Sequence, residues 1–134
     1  MSASANTAIV EGMFAAFAGA DLPAILETLA ADVDWVFEGP AAIAYAGRFN
    51  GVDGVVSFLT AMIGTLDRPV FVQESILAEG DKVVNTGRFS GTVKSTGKAF
   101  ECACVHVLTL RDGKITQFLD FADTAQIAAA YTAG

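Results

Sequence analysis

After Pro69 the chain is a succession of β patterns cut by glycine-bearing turns, and this leaves few folds open. Strands are expected at 70–78, 82–94, 99–111 and 114–122, separated by Glu79-Gly80-Asp81, Ser95-Thr96-Gly97 and Asp112-Gly113. Glycine reaches the positive φ values that tight hairpin turns require. Consecutive hairpins build an antiparallel meander. The first half reads differently. Residues 7–18 place Ile9, Val10, Met13, Phe14 and Phe17 on one helical stripe, with Asn6 or Thr7 as the cap and Gly19 as the stop. Asp21 caps a second helix with Pro23 in its first turn, where a missing N–H matters little. A short strand is expected at 33–38, a loop at 39–50, and a third helix near 52–66 whose broad apolar face packs across the sheet. Asp123 and Gln126 form a capping-box pattern for a last helix. Helices first and sheet second makes an α+β domain, a curved antiparallel sheet wrapped around a long helix.

A chain of 134 residues suits one domain, and 53% hydrophobic content leaves apolar surface for a pocket or a subunit interface. The net charge is −7 and the eight Lys and Arg are scattered, which argues against nucleic acid as a partner. No apolar run is long enough to span a bilayer, so no membrane partner is expected. No Lys or Arg precedes Arg48, so the basic segment of a secretion signal is missing and a cytoplasmic protein is expected. Cys102, Cys104 and His106 share one strand face. That spacing is poor for a disulfide and unlike a structural zinc site, so buried reduced thiols and no metal are expected.

The chemistry-bearing residues lie late in the chain. His106, the only histidine, and Asp120 fall on neighbouring strands of an apolar sheet. Burial disfavours the charged form of a carboxylate, which makes it a stronger base, and an imidazole beside it can donate to an oxygen gaining negative charge.

Certain sequence words resemble a known family. Phe-Ala-Gly-Ala-Asp-Leu-Pro-Ala at 17–24, Leu-Ala-Ala-Asp-Val-Asp-Trp at 29–35, His-Val-Leu-Thr-Leu-Arg-Asp-Gly-Lys-Ile at 106–115 and Phe-Leu-Asp-Phe-Ala-Asp-Thr at 118–124 are similar to the SnoaL-like and ketosteroid-isomerase-like branch of the nuclear transport factor 2-like superfamily. The resemblance implies a cystatin-like cone, a homodimer through the open sheet face, and no cofactor. It places Asp120 where SnoaL-like cyclases and limonene epoxide hydrolase hold a catalytic aspartate, and Arg88 where the hydrolase has an arginine. The hydrolase's second aspartate is Ser90 here, and its water-holding tyrosine and asparagine are Trp35 and Phe37, so its water-activating set is mostly lost. His106 falls where ketosteroid isomerase has its oxyanion-hole aspartic acid. That enzyme's general base falls at Phe37, or at Glu38 after a one-residue slip that reverses the facing.

The resemblance also turns Thr86, Arg88 and Ser90 inward with His106 and Asp120. Arg88 is then either an oxyanion donor or a buried ion-pair partner of Asp120. Trp35, Phe37, Phe118 and Tyr45, the last in a covering loop, would line a pocket for a small hydrophobic molecule. Three functions fit: an isomerase or cyclase acting next to a carbonyl, a non-catalytic binding protein, or an association module with a filled cone.

Overall fold

The computed structural model describes residues 2–133. Its elements run α1 (Ala3–Ala18), α2 (Leu22–Glu27), β1 (Leu29–Phe37), β2 (Gly47–Asn50), α3 (Gly51–Thr65), β3 (Leu66–Glu79), β4 (Lys82–Val93), β5 (Ala99–Arg111), β6 (Lys114–Ala122) and α4 (Thr124–Tyr131). The six strands form one sheet in the order β2-β1-β6-β5-β4-β3. The meander is present as expected, with β3–β4, β4–β5 and β5–β6 all antiparallel. The sheet is nonetheless mixed, because β1 lies parallel to β6. α3 touches β1 and β2 at one edge and β3 at the other, so the sheet curls around it. Val55, Phe58, Leu59 and Met62 form its buried stripe.

The turns explain the register. Asp112 and Gly113 both adopt positive φ (52° and 76°) between the paired residues Arg111 and Lys114. Two left-handed residues define the hairpin turn whose twist matches that of its strands. Gly80, at φ 58°, serves the same end between Glu79 and Lys82.

Several boundaries move. α1 begins earlier than expected because the Ser2 hydroxyl accepts from the Ala5 N–H at 3.1 Å. Asn6 is therefore buried inside the helix rather than capping it, and its side chain donates to the Gly80 carbonyl at 3.3 Å. Asp21 caps α2 as expected, accepting from the Ala24 N–H at 3.2 Å. Asp123 occupies the N-cap position of α4, yet its carboxylate accepts from the Gln126 side chain at 2.8 Å and makes no bond to the helix backbone. The loop expected at 39–50 is shorter, since its last four residues form β2 against β1.

Candidate active site

The inner face of β5 carries Phe100, Cys102, Cys104, His106 and Leu108, all buried. The inner face of β6 carries Phe118 and Asp120. Register then aligns a polar row across the sheet, because Asn85 faces His106, His106 faces Asp120, and Asp120 faces Phe37. His106 Nε2 lies 3.5 Å from Asp120 Oδ2. That is longer than a good hydrogen bond, so the two groups are adjacent without being locked together. His106 Nδ1 and Asp120 Oδ1 are buried and have no hydrogen-bond partner. A buried polar atom without a partner is unfavourable unless a ligand or water completes it.

Aromatic rings enclose this pair. The His106 ring centroid is 4.9 Å from that of Phe14, 4.9 Å from Phe71 and 5.1 Å from Phe118. Phe118 stacks on Trp35 at 3.8 Å with the planes 7° apart. Together with Phe17, Phe37, Phe58 and Phe89 they line a cavity of about 50 Å³, into which His106 and Asp120 also face. A cavity needs roughly 10–15 Å³ on this measure to hold one water, so this one has room for more than that minimum. Phe14 and Phe17 on α1 and Phe71 on β3 are only half-buried and form its rim.

Two expected site residues lie elsewhere. On β4 the buried positions are Val83, Asn85, Gly87, Phe89, Gly91 and Val93, so Arg88 and Ser90 project to the outer face. Arg88 Nε donates to Glu101 Oε1 at 3.0 Å, and this bond holds its guanidinium protonated more firmly than usual. The expected convergence of Arg88 and Ser90 with Asp120 is therefore corrected, and so is a buried Arg88–Asp120 ion pair. Tyr45 is fully buried behind Phe37, edge-on at 5.0 Å, and does not gate the cavity. Burial pushes its phenol well up, with the nearby Tyr131 adding to the effect. Trp35, Phe37 and Phe118 line the cavity as expected.

The sequence reading missed Asn85, Phe14, Phe17, Phe71 and Phe89. The signal for the β4 facing was present, since Val83, Phe89 and Val93 are its large apolar residues at odd positions. Cys102 and Cys104 are free and buried. Burial pushes the Cys104 thiol up to about 12, with Asp120 adding to it. Among the described residues no three His, Cys, Asp or Glu side chains cluster as a metal site, and no helix is long and apolar enough to cross a membrane.

Residues 10–118 match the SnoaL-like domain. The chain belongs to the SnoaL-like family. An uncharacterised protein of Mycobacterium tuberculosis strain H37Rv is 32% identical over 123 residues, which is 90% of this chain and 91% of that one. A similar protein of known structure, an NTF2-like protein from Burkholderia thailandensis, shares 32% identity with a TM-score of 0.87, over 95% of this chain and 97% of that one. TerC, co-crystallized with polyporic acid, shares 26% identity with a TM-score of 0.86, over 95% and 98% of the two chains. These likenesses bear out the α+β cone and the nuclear transport factor 2-like superfamily.

Proposed function

We propose that this SnoaL-like protein is a cofactor-independent enzyme of the isomerase or cyclase type, which abstracts a proton next to the carbonyl of a small hydrophobic molecule. The observation that carries this reading is a carboxylate with one unpartnered oxygen, beside an imidazole, in a cavity otherwise built of rings and aliphatic groups. Asp120 is the general base. It takes the proton from the carbon next to the carbonyl; the C–H electron pair becomes the C=C bond of the enolate, and the carbonyl π pair moves onto the oxygen. A His106 N–H donates to that oxygen as negative charge develops. Asp120 then returns the proton at the far carbon of a conjugated enolate, which is isomerisation, or the enolate carbon attacks a second carbonyl, whose π pair moves onto its oxygen and takes the proton back from Asp120, which is cyclisation. Arg88 takes no part.

The test needs no knowledge of the substrate. Butanone is among the smallest enolisable ketones, and its exchange of α-hydrogens for deuterium in D2O is read by NMR. Wild type is expected to accelerate this exchange, and Asp120→Asn to lose about a hundredfold or more of the acceleration. Equal exchange by both proteins would overturn the assignment. Binding of hydrophobic molecules without any exchange would favour the non-catalytic reading.

A homodimer through the outer sheet face belongs to the same proposal. Val72 and Leu77 are more than half exposed there, at 58% and 69%, and Phe121 is 42% exposed. Register places Leu77 beside Val84 and Val107, and Phe121 beside Val105, in one apolar field, while Val72 pairs with Arg88 at its charged edge. Such a field on a sheet suits a second copy of the chain.

A further inference from the structure

The cavity lining contains one acidic residue and, among the described residues, no Lys or Arg. Asp120 is 7% exposed, its Oδ2 has only His106 at 3.5 Å, and its Oδ1 has no partner. A buried carboxylate is stable only when a counter-charge or donors complete it. Around it stand the rings of Phe14, Phe17, Trp35, Phe37, Phe71 and Phe118. The face of an aromatic ring is negative and attracts a cation within about 6 Å of its centre. The two features ask for the same ligand charge.

We infer that this cavity binds small methylated ammonium ions, with the N–H on Asp120 Oδ1 and the methyl groups against the aromatic rings. Hydration separates this class from sodium or ammonium. A compact bare cation would shed its water shell for one carboxylate and apolar walls, which is unfavourable. A methylated ammonium spreads its charge over weakly hydrated methyl groups, and cation–π contact is strongest where water is excluded. Trimethylammonium, with four non-hydrogen atoms, is among the smallest ions of this class, as a cavity of about 50 Å³ bordered by half-buried rings requires. An anion of the same size would meet the carboxylate with only His106 beside it to offset the repulsion. The inference does not rest on proton abstraction. An ammonium ion on Asp120 would occupy the base, so it acts as a competing ligand, not as a substrate.

Trp35 is the only tryptophan and lines the cavity, so its fluorescence reports occupancy. Trimethylammonium chloride is titrated at neutral pH and constant ionic strength, against tert-butanol, a neutral molecule of nearly the same shape. The expected result is a saturable change in emission, with trimethylammonium binding at least about tenfold more tightly than tert-butanol. In Asp120→Asn, which preserves shape, the two affinities should become nearly equal. Should that variant not fold, Phe14→Leu on the half-buried rim removes one ring face and should weaken trimethylammonium binding while sparing tert-butanol. Equal affinities in wild type, or no saturable response to trimethylammonium up to about 100 mM, would overturn the inference. Butanone exchange is read separately. Exchange that persists while ammonium binding is absent rejects the cation site alone. Ammonium binding without exchange rejects the base chemistry alone.

Discussion

Replacing Gly87 with alanine drives a methyl group into the neighbouring strand. Gly87 lies on the inner face of β4, opposite Gln73 and Cys104. A Cβ built there would sit 2.1 Å from the Val72 carbonyl oxygen and 2.7 Å from two ring atoms of Phe71. The Phe71 ring could turn aside, but the carbonyl is backbone in a paired strand and must move by roughly 1 Å to reach van der Waals contact. Overpacking of this kind typically costs about 1–3 kcal/mol, and a backbone obstacle places Gly87→Ala near the upper end. For a chain of this length each kcal/mol lowers Tm by roughly 3–4 °C, so a fall of about 10 °C is expected by calorimetry or circular dichroism. The effect should reach the site, because Phe71 lines the cavity and packs against both Phe14 and His106 at 4.9 Å. A displaced Phe71 should alter Trp35 emission through the intervening rings. A Tm within about 1 °C of wild type would refute the argument, since it would mean that β3 yields freely at Val72.

Other perturbations test other links. Phe118→Ala removes the ring stacked on Trp35 and should destabilise by about 3–5 kcal/mol, measured by urea unfolding; a loss below about 1 kcal/mol would show that the cavity collapses around the gap. With the Cys104 thiol raised from 9.0 to about 12, its thiolate fraction near pH 8 falls by roughly a thousandfold, so iodoacetamide should label it far more slowly in native than in unfolded protein. Prompt labelling of the native protein would contradict that burial. Asp21→Ala deletes the α2 cap and should cost about 1 kcal/mol in thermal unfolding, whereas Asp21→Asn should keep most of it. Val105→Lys places a charge in the outer apolar field and should yield monomers in sedimentation; an unchanged dimer, or a monomeric wild type, would rule out that face as the contact.

Some positions were legible early because local rules decide them. The Asp112-Gly113 turn follows from chemistry that few other residue pairs satisfy, and it fixes the pairing of β5 with β6. Beyond the turn, strict alternation in that register would set His106 opposite Leu119; the irregularity between Thr109 and Leu110 shifts the pairing by one residue and brings His106 opposite Asp120. β4 was misread because its inner face contains Asn85, Gly87 and Gly91, residues that do not look like core. Gly87 is small because the Phe71 ring fills its place. Its side-chain volume is supplied by another strand, and no window of β4 sequence records that.

By itself the sequence determined most element types and the hairpin turns, because turn dihedrals and side-chain alternation are local properties of the backbone; the register shift between Thr109 and Leu110, which sets His106 opposite Asp120, is not written in the turn. Tertiary structure decided the rest. It laid β1 parallel to β6, which sets Phe37 beside Asp120 and brings Trp35 onto Phe118. It turned Arg88 outward to Glu101 and left Asp120 beside His106 with no arginine at hand. It also swung Phe14 and Phe17 of α1 over the mouth of the cone. Each of these joins residues far apart in sequence, and their packing is chosen by the volume and charge of partners that local pattern cannot see.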